Sequence, residues 1–122
     1  VEKLYRILVV DDEPAIRTLL NDVFTAAGFE VVEAANGRLG IQAHLANPAD
    51  LVITDLLMPQ QEGIETITEL SRRAPGLPII AISGAYTGPE LKMAARLGAS
   101  AVFAKPFDPE QLVAAAHGLL GL

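Results

Sequence analysis

The chain contains no cysteine and only two histidines in 122 residues. That scarcity excludes a disulfide framework and a thiol nucleophile, makes a structural zinc site improbable, and leaves the chemistry to oxygen. Long apolar runs are missing as well. Hydrophobic residues make up 51% of the chain, yet they fall in short stretches such as Ile7 to Val10, stopped by Asp11. None approaches the roughly 20 apolar residues of a membrane span, and no signal peptide is expected before the first of them. Basic residues are outnumbered, 9 Lys and Arg against 15 Asp and Glu, for a formal charge of −6. A surface of that sign repels phosphate backbones and anionic lipid. These features lead us to expect one cytoplasmic domain over residues 1–122, with no direct nucleic-acid or membrane contact.

What is present is an alternation. Four apolar runs, Ile7 to Val10, Leu51 to Ile53, Ile79 to Ile82 and Ala101 to Ala104, read as buried strands. A fifth, Glu30 to Ala34, alternates more and suits a strand nearer an edge. Between them lie segments of helical spacing. Ile16, Leu19, Leu20, Val23 and Phe24 follow Pro14 and stop at Gly28. Leu39, Ile41 and Leu45 mark a second helix, which Gly40 should weaken by about 1 kcal/mol relative to Ala. Ile64, Ile67 and Leu70 mark a third. Leu91, Ala94, Ala95 and Leu97, between Pro89 and Gly98, mark a fourth. The fifth has the clearest start, with Asp108 as N-cap, Pro109 first in the helix and Gln111 placed to return a bond. Five strand–helix units predict an α/β fold with a parallel sheet covered on both faces.

In such a sheet, ligands gather beyond the carboxyl ends of the strands. The residues there are Asp11 and Asp12, Asp55, Ser83 and Lys105. Carboxylates that close together repel by on the order of 4 kcal/mol per pair at about 4 Å and an effective dielectric of 20. Such a group calls for a cation, and hard oxygen donors favour Mg²⁺ or Mn²⁺ over zinc. Because Mg²⁺ usually takes one or two protein carboxylates together with a phosphate oxygen, the site suits a phosphoryl group.

The stretches Arg6-Ile-Leu-Val-Val-Asp-Asp-Glu13, Asp55-Leu-Leu-Met-Pro59 with Gly63 beyond, Ile82-Ser83-Gly84 and Lys105-Pro106-Phe107 together resemble the receiver domains of response regulators. The resemblance covers nearly the whole chain. It implies a doubly wound, flavodoxin-like sheet of strand order 2-1-3-4-5. It also implies a signalling switch, rather than an enzyme acting on outside substrates, that accepts a phosphoryl group on Asp55. The donor would be a histidine kinase or a histidine phosphotransfer protein, and the output partner is not specified. By the same resemblance Asp12 would bind Mg²⁺ directly and Asp11 through water, alongside Asp55 and the main-chain carbonyl of Leu57. Ser83 would bond the phosphoryl group, Lys105 would pair with it, and Pro106 would follow a cis bond. The last two helices and the fifth strand would present the output face.

One departure stands out. Many receivers carry Tyr or Phe three residues before the lysine, where this chain has Val102. Phe103 should point to the opposite face, because side chains alternate along a strand, and Tyr86 is the other aromatic within reach of the switch. Taken singly, the site residues have ordinary accounts as caps, turns or solvated charges, so the expectation rests on their joint placement. His44 and His117 fall within helices without an acidic orienter and are expected to be structural. The alternative function is a receiver-like interaction module that is never phosphorylated. Aspartyl-phosphate enzymes of the haloacid dehalogenase type space their first two aspartates differently, and flavin binding would need a phosphate loop after the first strand.

Overall fold

The computed structural model describes residues 3–56, 62–84 and 88–122, with the backbone alone at Glu62, Gly88, Glu90 and Leu91. Within them the elements run β1 (Arg6–Val10), α1 (Pro14–Ala26), β2 (Glu30–Ala34), α2 (Gly37–Ala46), β3 (Leu51–Asp55), α3 (Glu62–Arg73), β4 (Ile79–Ser83), α4 (Gly88–Leu97), β5 (Ala101–Ala104) and α5 (Pro109–Leu120). The strands form one sheet in the order β2-β1-β3-β4-β5, and every neighbouring pair is parallel. The expected order is therefore observed, and the alternating strand at Glu30 to Ala34 is an edge.

Alternation along the strands sorts the core into two layers. Ile7, Val9, Leu51, Ile53, Ile80 and Ile82 face α1 and α5, where Leu20, Phe24, Leu112 and Ala116 close over them. Leu8, Val10, Val52, Ile79 and Ala81 face the opposite way, toward Ile67 and Leu70 of α3 and Ala94 of α4. Val102 packs with this second layer and Phe103 with the first, as the period of two requires.

Of the three residues expected to mark the inward face of the second helix, Ile41 packs against the core and the two leucines do not. Leu39 and Leu45 are exposed, and the buried positions are Gly37, Gly40 and His44. The reason lies at Gly40, where a Cβ would come within 2.7 Å of Val10 Cγ2. The glycine lets α2 settle against β1 on a flat face, with Ile41 packed on the core and Leu39 and Leu45 left outside. Leu19 of α1 and Ala95 of α4 are likewise exposed, so those helices bury narrower stripes than the full apolar set. In α5, Asp108 accepts a bond from Glu110 N–H across Pro109. No returning bond from Gln111 is present among the described residues.

Candidate functional site

The parallel register carries four chain segments to one edge. Val10 pairs with Thr54, Asp55 with Ile82, and Ser83 with Ala104. Asp11 thus leaves β1 beside the end of β3, where Asp55 stands. Ser83 lies one residue beyond Asp55's partner in β4, and Lys105 follows the end of β5. Main-chain bonds hold these exits: Asp11 N–H donates to the Ala34 carbonyl at 3.1 Å and Lys105 N–H to the Ser83 carbonyl at 2.7 Å. Asp11 Oδ1 accepts from Glu13 N–H at 2.9 Å, and the Arg17 guanidinium donates to the Asp11 carbonyl at 2.6 Å. Glycine at position 63 is a steric requirement, since a Cβ there would lie 2.2 Å from the Asp55 carbonyl. The start of α3 could not otherwise lie against the end of β3.

Among the described residues one ammonium serves this edge. Lys105 Nζ lies 3.1 Å from Asp55 Oδ2, 3.3 Å from Asp11 Oδ2 and 3.2 Å from Glu13 Oε1. Asp11 and Asp55 are almost wholly buried, while Asp12 and Glu13 are exposed. Carboxylate oxygens of all four acids lie within 4.8 Å of one another. Burial raises the Asp11 carboxyl to about 6, and the Asp55 charge adds to the rise against the pull of Glu13 N–H and Lys105. For Lys105, burial works against the charged form, but the Asp55 and Asp11 charges outweigh it and hold the ammonium firmly protonated. Four acids face Lys105, while the Arg17 guanidinium is taken up by the Asp11 carbonyl and Glu33; the excess of negative charge in partly buried surroundings is one that a bound cation would relieve. The donors are all hard oxygens, which fits Mg²⁺ and not a soft metal.

Asp11, Asp12, Asp55 and Lys105 are therefore brought together, and Ser83 is buried at the same edge. The Leu57 carbonyl, Met58, Pro59 and Tyr86 lie outside the described residues. The Lys105–Pro106 bond is cis. Sequence reasoning missed two participants, Glu13 and Arg17. Glu13 had a signal, a third acid following Asp11 and Asp12 directly before the helix-opening Pro14. Arg17 had none beyond its place one turn into α1. His44 is buried away from this edge, its Nδ1 accepting from Ala49 N–H at 3.0 Å. His117 lies against the Phe29 ring.

The family described as "Response regulator receiver domain" matches residues 7–117. The chain belongs to that family. It is 36% identical to the chemotaxis protein CheY of Thermotoga maritima, over 90% of this chain and 92% of that protein. Sporulation initiation phosphotransferase F of Bacillus subtilis is 33% identical, over 88% of this receiver and 86% of that protein. Against the transcriptional regulator NtrC of Rhizobium meliloti, at 33% identity, the receiver spans 94% of itself but 23% of the longer protein. Among solved structures, a CheY-like receiver domain from Methanospirillum hungatei superposes with a TM-score of 0.90 at 29% identity, covering 98% of this chain. The receiver is a signalling switch of two-component systems, and the non-phosphorylated alternative is not favoured. No helix among the described residues is long and apolar enough to cross a membrane.

Proposed function

We propose that Asp55 is the phosphoryl acceptor and that its phosphorylation by a histidine kinase or histidine phosphotransfer protein is the input of this domain. The observation that carries the reading is the position of Lys105 Nζ, 3.1 Å from Asp55 Oδ2 with Asp11 at its other side. An Asp55 oxygen forms the new bond to phosphorus while the P–N bond of the phosphohistidine breaks, leaving its electron pair on the imidazole nitrogen, which takes up a proton. Lys105 neutralises phosphoryl oxygens, and the Ser83 hydroxyl donates to one of them. Asp11, Asp12, Asp55 and the Leu57 carbonyl would hold Mg²⁺, or Mn²⁺ in its place. When bound, the ion would supply positive charge to the phosphoryl oxygens and so favour transfer. Burial of Asp55 keeps water from competing for its oxygens.

Residues 1–122 are proposed to act as one cytoplasmic receiver that reports to a separate output partner or effector, without itself touching nucleic acid or membrane. Because Val102 has a short β-branched side chain, the response would travel through Ser83, its loop and α4, and not through an aromatic rotamer. The test is mass spectrometry after incubation with acetyl phosphate, with and without Mg²⁺. A single phosphoryl adduct that requires Mg²⁺, maps to Asp55 and vanishes in Asp55→Asn is expected. An adduct of equal yield in Asp55→Asn, or one mapped to His44 or His117, would overturn the assignment.

A further inference from the structure

Lys105 is the cation that phosphoryl transfer needs, yet its three N–H donors are matched by three carboxylates in this structure. Two of those partners, Asp11 and Asp55, form the buried floor of the site. The third, Glu13, stands at the solvent mouth with its side chain 59% exposed and its Oε1 3.2 Å from Nζ. Glu13 occupies the N-cap position of α1 but makes no side-chain capping bond, so the helix does not depend on its carboxylate. Its side-chain bond is to Lys105.

We propose that Glu13 is a positioning residue that restrains phosphoryl uptake: it holds Lys105 at the rim, and this contact must open before the ammonium can turn to an incoming phosphoryl group. The inference rests on the reading of Asp55 as acceptor. Two effects act in the same direction. Opening the Glu13–Lys105 pair is a step that precedes neutralisation of the phosphoryl oxygens. The Glu13 charge also faces the anionic donor at the entrance, and one unit charge near 4 Å in water changes a rate by roughly fivefold.

Reach and charge can be separated by substitution. Glu13→Gln removes the charge and keeps the length, whereas Glu13→Asp keeps the charge on an arm one methylene shorter that no longer spans to Lys105. Initial rates of Asp55 phosphorylation by acetyl phosphate, at saturating Mg²⁺ so that altered metal affinity does not enter, should rise roughly three- to tenfold in Glu13→Gln and about two- to threefold in Glu13→Asp. In a Lys105→Met background the Glu13→Asp gain should vanish. As a readout independent of transfer, the ¹H–¹⁵N signal of the Lys105 ammonium should shift and exchange faster with water in both variants. An unmoved signal overturns the inference, and so does a phosphorylated wild type whose two variants run at its own rate. A gain confined to Glu13→Gln and persisting in Lys105→Met also overturns it, since that is charge repulsion without restraint. A wild-type chain that takes up no phosphoryl group, despite a shifted ammonium signal, defeats the acceptor reading and this inference with it.

Discussion

At the carboxyl ends of the strands three acids share one ammonium with a fourth, Asp12, close by, whereas at the amino ends acids and bases are matched. There Asp50 accepts from Arg6 N–H at 2.7 Å and from Lys3 Nζ at 2.9 Å, and Glu30 pairs with the Arg6 guanidinium at 3.1 Å. The same side chain behaves in opposite ways at the two edges. Burial disfavours the Asp50 anion, but the Arg6 N–H bond and the Lys3 charge prevail and hold its carboxyl below the usual range. Asp11, buried beside another carboxylate, is pushed up to about 6. Ion pairing at the amino edge is a local stabilising device. The carboxyl edge is kept in electrostatic debt, as the proposed uptake of a cation and a phosphoryl group would require.

Breaking the carboxyl edge should cost most. Gly63→Ala places a methyl 2.2 Å from the Asp55 carbonyl, and backbone has nowhere to retreat. We expect a loss of about 4 kcal/mol or more in urea unfolding. At the amino edge, Gly28→Ala meets nothing within 4 Å and bears only the strain of a φ of +94°, which should cost about 1–2 kcal/mol.

Sharpening the comparison takes one substitution made twice. Without metal at neutral pH, Asp11→Asn should stabilise the fold, because a carboxyl raised from 3.8 to about 6 costs at most on the order of 3 kcal/mol there. That cost is present above about pH 6 and fades as pH falls toward 3.8, so metal-free wild type should gain stability over this window. Asp50→Asn should instead destabilise by about 1–2 kcal/mol, through the weakened bond to Arg6 N–H. The stabilisation from Asp50 is present above 3.8 and is lost as pH falls below it. Denaturant titrations of both variants between pH 4 and pH 8 (a range spanning roughly the ordinary Asp and His values) check the opposite signs.

Smaller effects lie off the charged edges. Burial lowers the His44 pKa, and its Nδ1 accepts a main-chain bond that protonation would remove. Its contribution is complete above about pH 6.5 and is lost as pH falls through and below that value. His44→Ala should cost about 1.5 kcal/mol at neutral pH and abolish that dependence in thermal melts. Ser71→Ala should change stability by less than about 0.5 kcal/mol, since the Ser71 hydroxyl is buried with no hydrogen-bond partner among the described residues. It serves as a control for the other melts.

The alternation of short aliphatic runs with helical segments made the sheet legible, because a strand covered on both faces needs little more than an unbroken apolar stretch. The acids and the lysine were legible for a related reason: each follows such a stretch directly, and the fold gathers whatever follows. What the sequence hid depends on close approach. Leu39, Ile41 and Leu45 looked like the inward face of α2, but the close approach of Gly40 to Val10 leaves only Ile41 of the three packed on the core. Glu13 read as part of a motif without a task of its own, since its partner is 92 residues distant in the chain. Arg17 offers no pattern at all until its guanidinium is seen on the Asp11 carbonyl.

The acids of the carboxyl edge are under-neutralised and those of the amino edge are not. Carboxyl ¹³C titration by NMR, following Asp11 and Asp50 in the same sample with and without Mg²⁺, addresses both at once. Asp11 should titrate near 6 without metal and drop when Mg²⁺ is added, while Asp50 should titrate below 3.8 and be unmoved by the ion. An Asp11 that titrates at the ordinary value and ignores Mg²⁺, or an Asp50 that responds to the ion as Asp11 does, would show that the two edges do not differ in neutralisation.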